Sequence, residues 1–167
     1  MKASALLFLL LPLFAGAQLK YDANWVFGER CGIDFNDSLN PITFSPLSDN
    51  NEATASISDK NGNMVLYVSC PRNYLGHIKD ANNDTIINGD SINAHSSATN
   101  GMVFLPIGRT GDSVLLFHIG MSPNCNFGSG FVRCLRLYYS LIARDGSGKW
   151  GLRRKTSSSL PIRLKKL

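Results

Sequence analysis

Two Gly-Asp-Ser blocks are the first places in this sequence where residue type and spacing raise the question of catalysis. Gly89-Asp90-Ser91-Ile92 and Gly111-Asp112-Ser113-Val114 echo the Gly-Asp-Ser block of one class of esterases. A nucleophilic serine needs a base to take its proton and an oxyanion hole in register with it. Each block instead follows a turn and leads into a β-prone run, and the chain has no Gly-x-Ser-x-Gly elbow. Both are read as turn exits, and no catalytic residue is assigned.

The other reactive side chains are weighed in the same way. His77, His95 and His118 are widely separated and their spacing does not imply convergence on a metal. His118 lies in an apolar run, where a hydrogen-bonded core histidine is the ordinary case. Asp59-Lys60-Asn61-Gly62-Asn63 and Asp80-Ala81-Asn82-Asn83-Asp84 place oxygens at alternate positions, as calcium loops do. Neither has the glycine and distal glutamate of an EF-hand loop. Turn chemistry accounts for both, because Asn and Asp bond their own backbone and tolerate left-handed conformations. Asp34, Asp37, Asp49 and Glu52 form the acid-rich stretch in which a glycosidase pair would be sought, and their spacing shows no pattern. No cofactor and no metal are expected.

The elements that must position these groups read as short strands separated by turns. Ala53–Ser58 and Met64–Ser69 flank Asp59–Asn63, whose Asn-Gly supplies the positive φ angles of a tight hairpin. Gly101–Ile107 and Ser113–Ile119 form a second hairpin around Gly108–Asp112. Leu135–Ala143 is a further strand with Tyr138 and Tyr139 on opposite faces. Trp25–Phe27 and Ile33–Phe35 are shorter candidates. No amphipathic helical window appears, so the fold is expected to be all-β. Antiparallel hairpins recurring along the chain resemble two to three blades of a β-propeller, and a small β-sandwich is the alternative.

The amino terminus sets the compartment. Lys2 precedes an uncharged apolar run, Ala3–Phe14, and Ala15-Gly16-Ala17 offers small residues to a signal peptidase. Cleavage is expected between Ala17 and Gln18. The run is shorter than the roughly 20 residues of a membrane-spanning helix, and no later segment reaches that length. Residues 1–17 are therefore a signal peptide, and the mature chain is expected in the periplasm, at the cell surface or outside the cell.

In an oxidising compartment the four cysteines suggest disulfides. Three connectivities are possible. The favoured one joins Cys125 to Cys134 across a short Gly/Asn-rich loop, a clip worth roughly 2–3 kcal/mol on the chain-entropy model, and Cys31 to Cys70. No Cys-x-x-Cys pair supports zinc.

The formal net charge of +5 is concentrated at one end. Residues 18–142 carry more acids than bases, whereas residues 143–167 carry eight bases against Asp145. Trp150 is the one aromatic in that tail, so nucleic-acid binding is not expected. The tail is expected to be disordered, because Thr156-Ser157-Ser158-Ser159 and the surrounding bases offer little apolar surface to bury.

A set of segments then resembles a known group. Asn24-Trp25-Val26-Phe27-Gly28, Ala53 to Tyr67, Ile87-Asn88-Gly89-Asp90-Ser91, Gly101 to Pro106, Leu116-Phe117-His118 and Leu137-Tyr138-Tyr139-Ser140 occur in this order. They resemble the N-terminal β-propeller-like region of secreted Bacteroidota proteins of the type IX secretion kind. The resemblance covers about Tyr21 to Ile142 and stops near Lys149, where the charge changes sign. That coincidence is read as a frameshifted end. The resemblance implies a surface or released location. It also implies possible O-glycosylation where Asp precedes Ser or Thr, at Ser38, Thr85, Ser91 and Ser113.

Together these features point to a secreted, non-enzymatic structural or interaction module. Its partner would be an unidentified protein or glycan, and exposed strand edges offer a route to self-association. The alternative is an extracellular hydrolase or carbohydrate-active protein.

Overall fold

In a computed structural model, residues 19–71, 75–108, 110–122 and 135–161 are described, the last seven by backbone alone. Among them every regular element is a β-strand. They are β1 (Asn24–Phe27), β2 (Cys31–Asp34), β3 (Ile42–Phe44), β4 (Ser56–Ser58), β5 (Met64–Ser69), β6 (Leu75–Asp80), β7 (Ile92–Asn93), β8 (Met102–Ile107), β9 (Ser113–Met121), β10 (Leu135–Arg144) and β11 (Trp150–Pro161). The expected all-β class is what the structure has.

The strands form three antiparallel sheets in sequence order: β1-β2-β3, β4-β5-β6-β7 and β8-β9-β10-β11. Each is an up-and-down meander in which consecutive strands pair antiparallel. Two consecutive four-stranded meanders have the order of propeller blades.

Alternation along the strands builds the core. Ile57, Leu66, Val68, Cys70, Ile78 and Ile92 project from the second sheet. Met102, Phe104, Val114, Leu116, Ile142, Trp150 and Leu152 meet them from the third. Residues directly paired across the third sheet share a face, so Phe104↔Leu116 and Val114↔Ile142 pack side by side toward this core. The short first sheet attaches differently. Hydroxyls line the edge of β1 that β2 does not pair: Ser58 Oγ accepts from the Asn24 amide at 3.1 Å, Ser56 Oγ donates to the Asn24 carbonyl at 2.7 Å, and Thr54 Oγ1 donates to Val26. Such bonds satisfy an edge that would otherwise recruit another strand.

Three five-residue turns share one design. In Asp59–Asn63, Asp80–Asp84 and Asp145–Lys149 the leading aspartate Oδ1 accepts the amides two and four residues ahead, at 2.8–3.1 Å. The fourth residue is left-handed in each: Gly62 (φ 93°), Asn83 (70°) and Gly148 (83°). The first turn therefore needs positive φ at Gly62 and not at Asn61. A register shift between Ile57 and Ser58 absorbs the extra residue as a bulge.

Two expectations are corrected. The tail does not begin at residue 143 as a disordered segment. β10 runs to Arg144, and Trp150–Pro161 pairs with it as β11. Trp150 and Leu152 alternate into the core, at 8% and 7% exposure, and this burial supplies what the polar sequence around them lacks. Nor are Cys31 and Cys70 bonded to each other, since both are free thiols. Cys70 is fully buried with its amide held by Asn50 Oδ1 at 2.6 Å, whereas Cys31 is half-buried at the start of β2 in another sheet. Cys125 and Cys134 lie outside the described residues, as do Ala17 and Gln18.

Candidate functional site

The two Gly-Asp-Ser blocks are separated in space by the fold. Ser91 is exposed with φ 54°, in the turn before β7. Ser113 opens β9 with its backbone paired to Ile107 and Ala143. Neither is bonded to His118. That imidazole is buried, with Nδ1 at 2.8 Å from the Asn93 carbonyl and Nε2 at 3.3 Å from Ser140 Oγ. A carbonyl can only accept, so Nδ1 carries the proton and Ser140 donates to Nε2. The trio has the form of a nucleophile, base and orienting group. Ser140 and His118 are nevertheless 2% and 3% exposed, so no substrate reaches the hydroxyl. Burial holds the imidazole below its ordinary pKa of 6.5, against the opposing pull of its bond to Asn93. The group is a neutral tie between β9, β10 and the residues around β7.

The remaining polar candidates are spread over the fold. His77 lies on β6, His95 follows β7 and His118 lies on β9. Among the described residues no three His, Cys, Asp or Glu side chains converge as metal ligands would. Asp34 and Asp37 accept backbone amides two residues ahead, and Glu52 accepts from Thr99 Oγ1. The two calcium-like runs spend their leading carboxylates on their own turns. At Asp59 burial raises the pKa, but bonds from Asn63 and the turn amides prevail and lower it. At Asp145 the bond from Ser147 lowers it first, with the Lys149 amide adding to the effect.

The three aspartate turns open on one cleft of about 690 Å³. Arg144 crosses it, its guanidinium 4.7 Å above the Trp150 ring and 3.9 Å from Asp112. Arg144 Nη1 also donates to the Gly148 carbonyl at 3.2 Å. These contacts cover the indole, so it is not an open stacking platform. A second hollow of about 480 Å³ holds Trp25, 55% exposed and edge-on to Phe35 at 5.1 Å. Of the glycosylation candidates, Ser38, Thr85 and Ser91 are exposed, and Ser113 is half-buried.

The feature that stands apart is the outer face of the third sheet. Its rows are Val103↔Phe117↔Tyr139 and Leu105↔Leu115↔Leu141. Ile119↔Leu137 and Met121↔Leu135 extend them. Val103 and Leu105 are 49% and 47% exposed, and the β9 and β10 members are half-buried. The Phe117 and Tyr139 rings lie 6.2 Å apart, tilted by 41°. No outward position of β8, β9 or β10 carries a charge. Among the described residues this sheet meets the second sheet mainly through β4–β8 and β7–β9, and the backbone of Trp150 and Leu152 on β11 bonds that of Ile87.

The sequence carried a signal for this face that strand assignment alone passes over. Val114-Leu115-Leu116-Phe117-His118-Ile119 is almost continuously apolar, and continuous runs mark strands covered on both faces. The second sheet is covered in that way, since Leu66 and Val68 face the core while Tyr67 on its other face bonds Asn83 Oδ1 at 2.8 Å. Burial pushes the Tyr67 hydroxyl up to about 12, so it stays protonated in that bond.

Comparison with known proteins adds no relative: no family model, no curated protein and no solved structure matches this chain.

Proposed function

We propose that this chain is an exported, non-enzymatic interaction module that works by presenting the outer face of its third sheet. The observation that carries the reading is the uncharged apolar surface of β8, β9 and β10. Apolar surface of this breadth on a folded chain marks a place where another surface docks. The signal-like segment at residues 1–17 supports export, and the resemblance to secreted Bacteroidota propeller-like regions is consistent with a blade-order meander at a surface location. Ser38, Thr85 and Ser91 are accessible enough to carry the O-glycans that this resemblance implies.

The hydrolase reading has less support. The Ser140–His118 pair is buried, and the carboxylates of Asp34, Asp37 and Glu52 accept bonds from neighbouring groups. The test is to export the precursor, sequence the product and assay it against esters, peptides and glycosides. The product should begin at Gln18 and turn over none of them. Retention of Met1, or turnover abolished by Ser91→Ala or Ser113→Ala, overturns the proposal.

A further inference from the structure

Resting on that reading, we infer that the surface docking on the β8–β11 sheet is the same sheet of a second copy, apolar face on apolar face about a two-fold axis. Size supports this first. β9 is nine residues long. At about 3.3 Å per residue and 4.8 Å between strands, a four-stranded face of that length covers roughly 500 Å². Two such faces bury roughly 1,000 Å² even when taken as flat, which reaches the lower bound for a specific interface.

Self-complementarity is the second argument. A two-fold interface presents the same patch to itself, so any charge near its centre meets its own like. Outward positions on β8, β9 and β10 carry none. Arg154 pairs with Leu141 in register and thus lies on the same face, but on the boundary strand β11, where it is exposed at the rim. An apolar centre with a polar rim is the anatomy of protein interfaces.

The third argument is that the edges of this sheet are guarded while its face is not. Self-association through strand edges was one expectation from the sequence. β8 is one boundary strand and carries Pro106, which has no N–H to offer an added strand. β11 is the other and carries the exposed Arg153 and Arg154, whose like charges oppose edge-to-edge pairing. Face-to-face packing is therefore favoured over strand addition. It is also how this chain already joins its second and third sheets, through the shared core of Leu66, Val68, Phe104 and Leu116.

The experiment uses the exported mature chain. Sedimentation velocity over a wide concentration range should give a species of twice the single-chain mass, dissociating on dilution. Leu115→Lys places a charge at the centre of the face and should weaken association about 30-fold or more, as loss of an interface hot spot does. Leu105→Lys, at a more exposed position, is the second variant should the first fail to fold. Leu39→Lys, on a loop of the first sheet and 88% exposed, should leave association unchanged. A dimer that survives both face variants overturns the inference. So does a monomer, and an apolar-surface dye then separates two cases. Dye bound by the monomer and lost in Leu105→Lys leaves an open face for a different partner, so the interaction-module reading stands without the dimer. A monomer that binds no dye means that the chain covers its own face, and both readings fail.

Discussion

His118 Nε2 accepts a hydrogen bond from Ser140 Oγ at 3.3 Å across neighbouring strands, and both groups are buried. The pair faces each other because Tyr138, not Ser140, is the direct partner of His118 in the β9–β10 register, leaving Ser140 two residues along on the same face. Tyr138 stacks on the imidazole at 5.5 Å and donates to the Met121 carbonyl at 2.7 Å. Histidine, serine and tyrosine thus lock the third sheet to Asn93.

This arrangement predicts a pH dependence of stability. Burial lowers the folded-state pKa of His118 below 6.5, so the unfolded chain binds this proton more readily. The contribution is fully present above about 6.5 and is lost as pH falls through the lower folded-state value. Urea unfolding of the wild type and of His118→Gln should show a steeper decline for the wild type between neutral and mildly acidic pH. Parallel declines would mean that His118 does not titrate in this way.

The two described cysteines should differ sharply in reactivity. The Cys70 thiol is fully buried, and burial pushes its pKa up to about 11, with the charge of Asp49 adding to the effect. Thiolate is the reactive form, so Cys70 should resist alkylation until the chain unfolds. Cys31 is half-buried and should label in the native state. Mass spectrometry of timed alkylation reads both sites. A peptide joining Cys31 to Cys70 in a non-reducing digest would contradict the structure.

Trp150→Ala should destabilise the protein by about 3–5 kcal/mol, the range for emptying a buried aromatic site. A disordered tail predicts a change within about 0.5 kcal/mol, as for a surface site. Thermal or urea unfolding distinguishes the two, and an unchanged midpoint would remove Trp150 from the core.

Gly62 and Gly148 occupy the same position in equivalent turns but should respond differently to alanine. Both have positive φ, so Ala costs about 1 kcal/mol or more at either. At Gly148 the added methyl meets open space. At Gly62 it collides with the Asn36 side-chain oxygen, and Asn36 Nδ2 is bonded to the Gly62 carbonyl at 2.8 Å. Gly62→Ala should therefore cost at least about 1 kcal/mol more than Gly148→Ala. Equal losses would show that Asn36 moves aside freely.

The two central hairpins were legible in the sequence because their signals are local. Asp59–Asn63 and Gly108–Asp112 are turn-forming, and apolar β-prone runs flank both. β4, β5, β8, β9 and β10 fall within a few residues of where those runs place them. β3 and β7 were missed because three and two residues carry no measurable alternation. β6 was missed because Gly76, His77, Lys79 and Asp80 break the apolar pattern. The third aspartate turn has no local signature in Gly146-Ser147-Gly148; it is defined by Asp145 accepting the amides of Ser147 and Lys149.

By itself the sequence determined the all-β class, the hairpin turns and the strands beside them, since all of these follow from interactions between residues close in the chain. Tertiary structure decided what depends on residues far apart. It placed Trp150 and Leu152 in the core because strand β10 and the second sheet were there to receive them, overriding a polar, basic local sequence. It left Cys31, at the start of β2, and Cys70, just past the end of β5, as unbonded thiols although their count invited a bridge. It also sorted one nearly continuous apolar run, Val114–Ile119, into an inward row that is buried and an outward row that is not. Alternation assigns the two rows to opposite faces, but only the packing of one sheet on the next decides which face is covered.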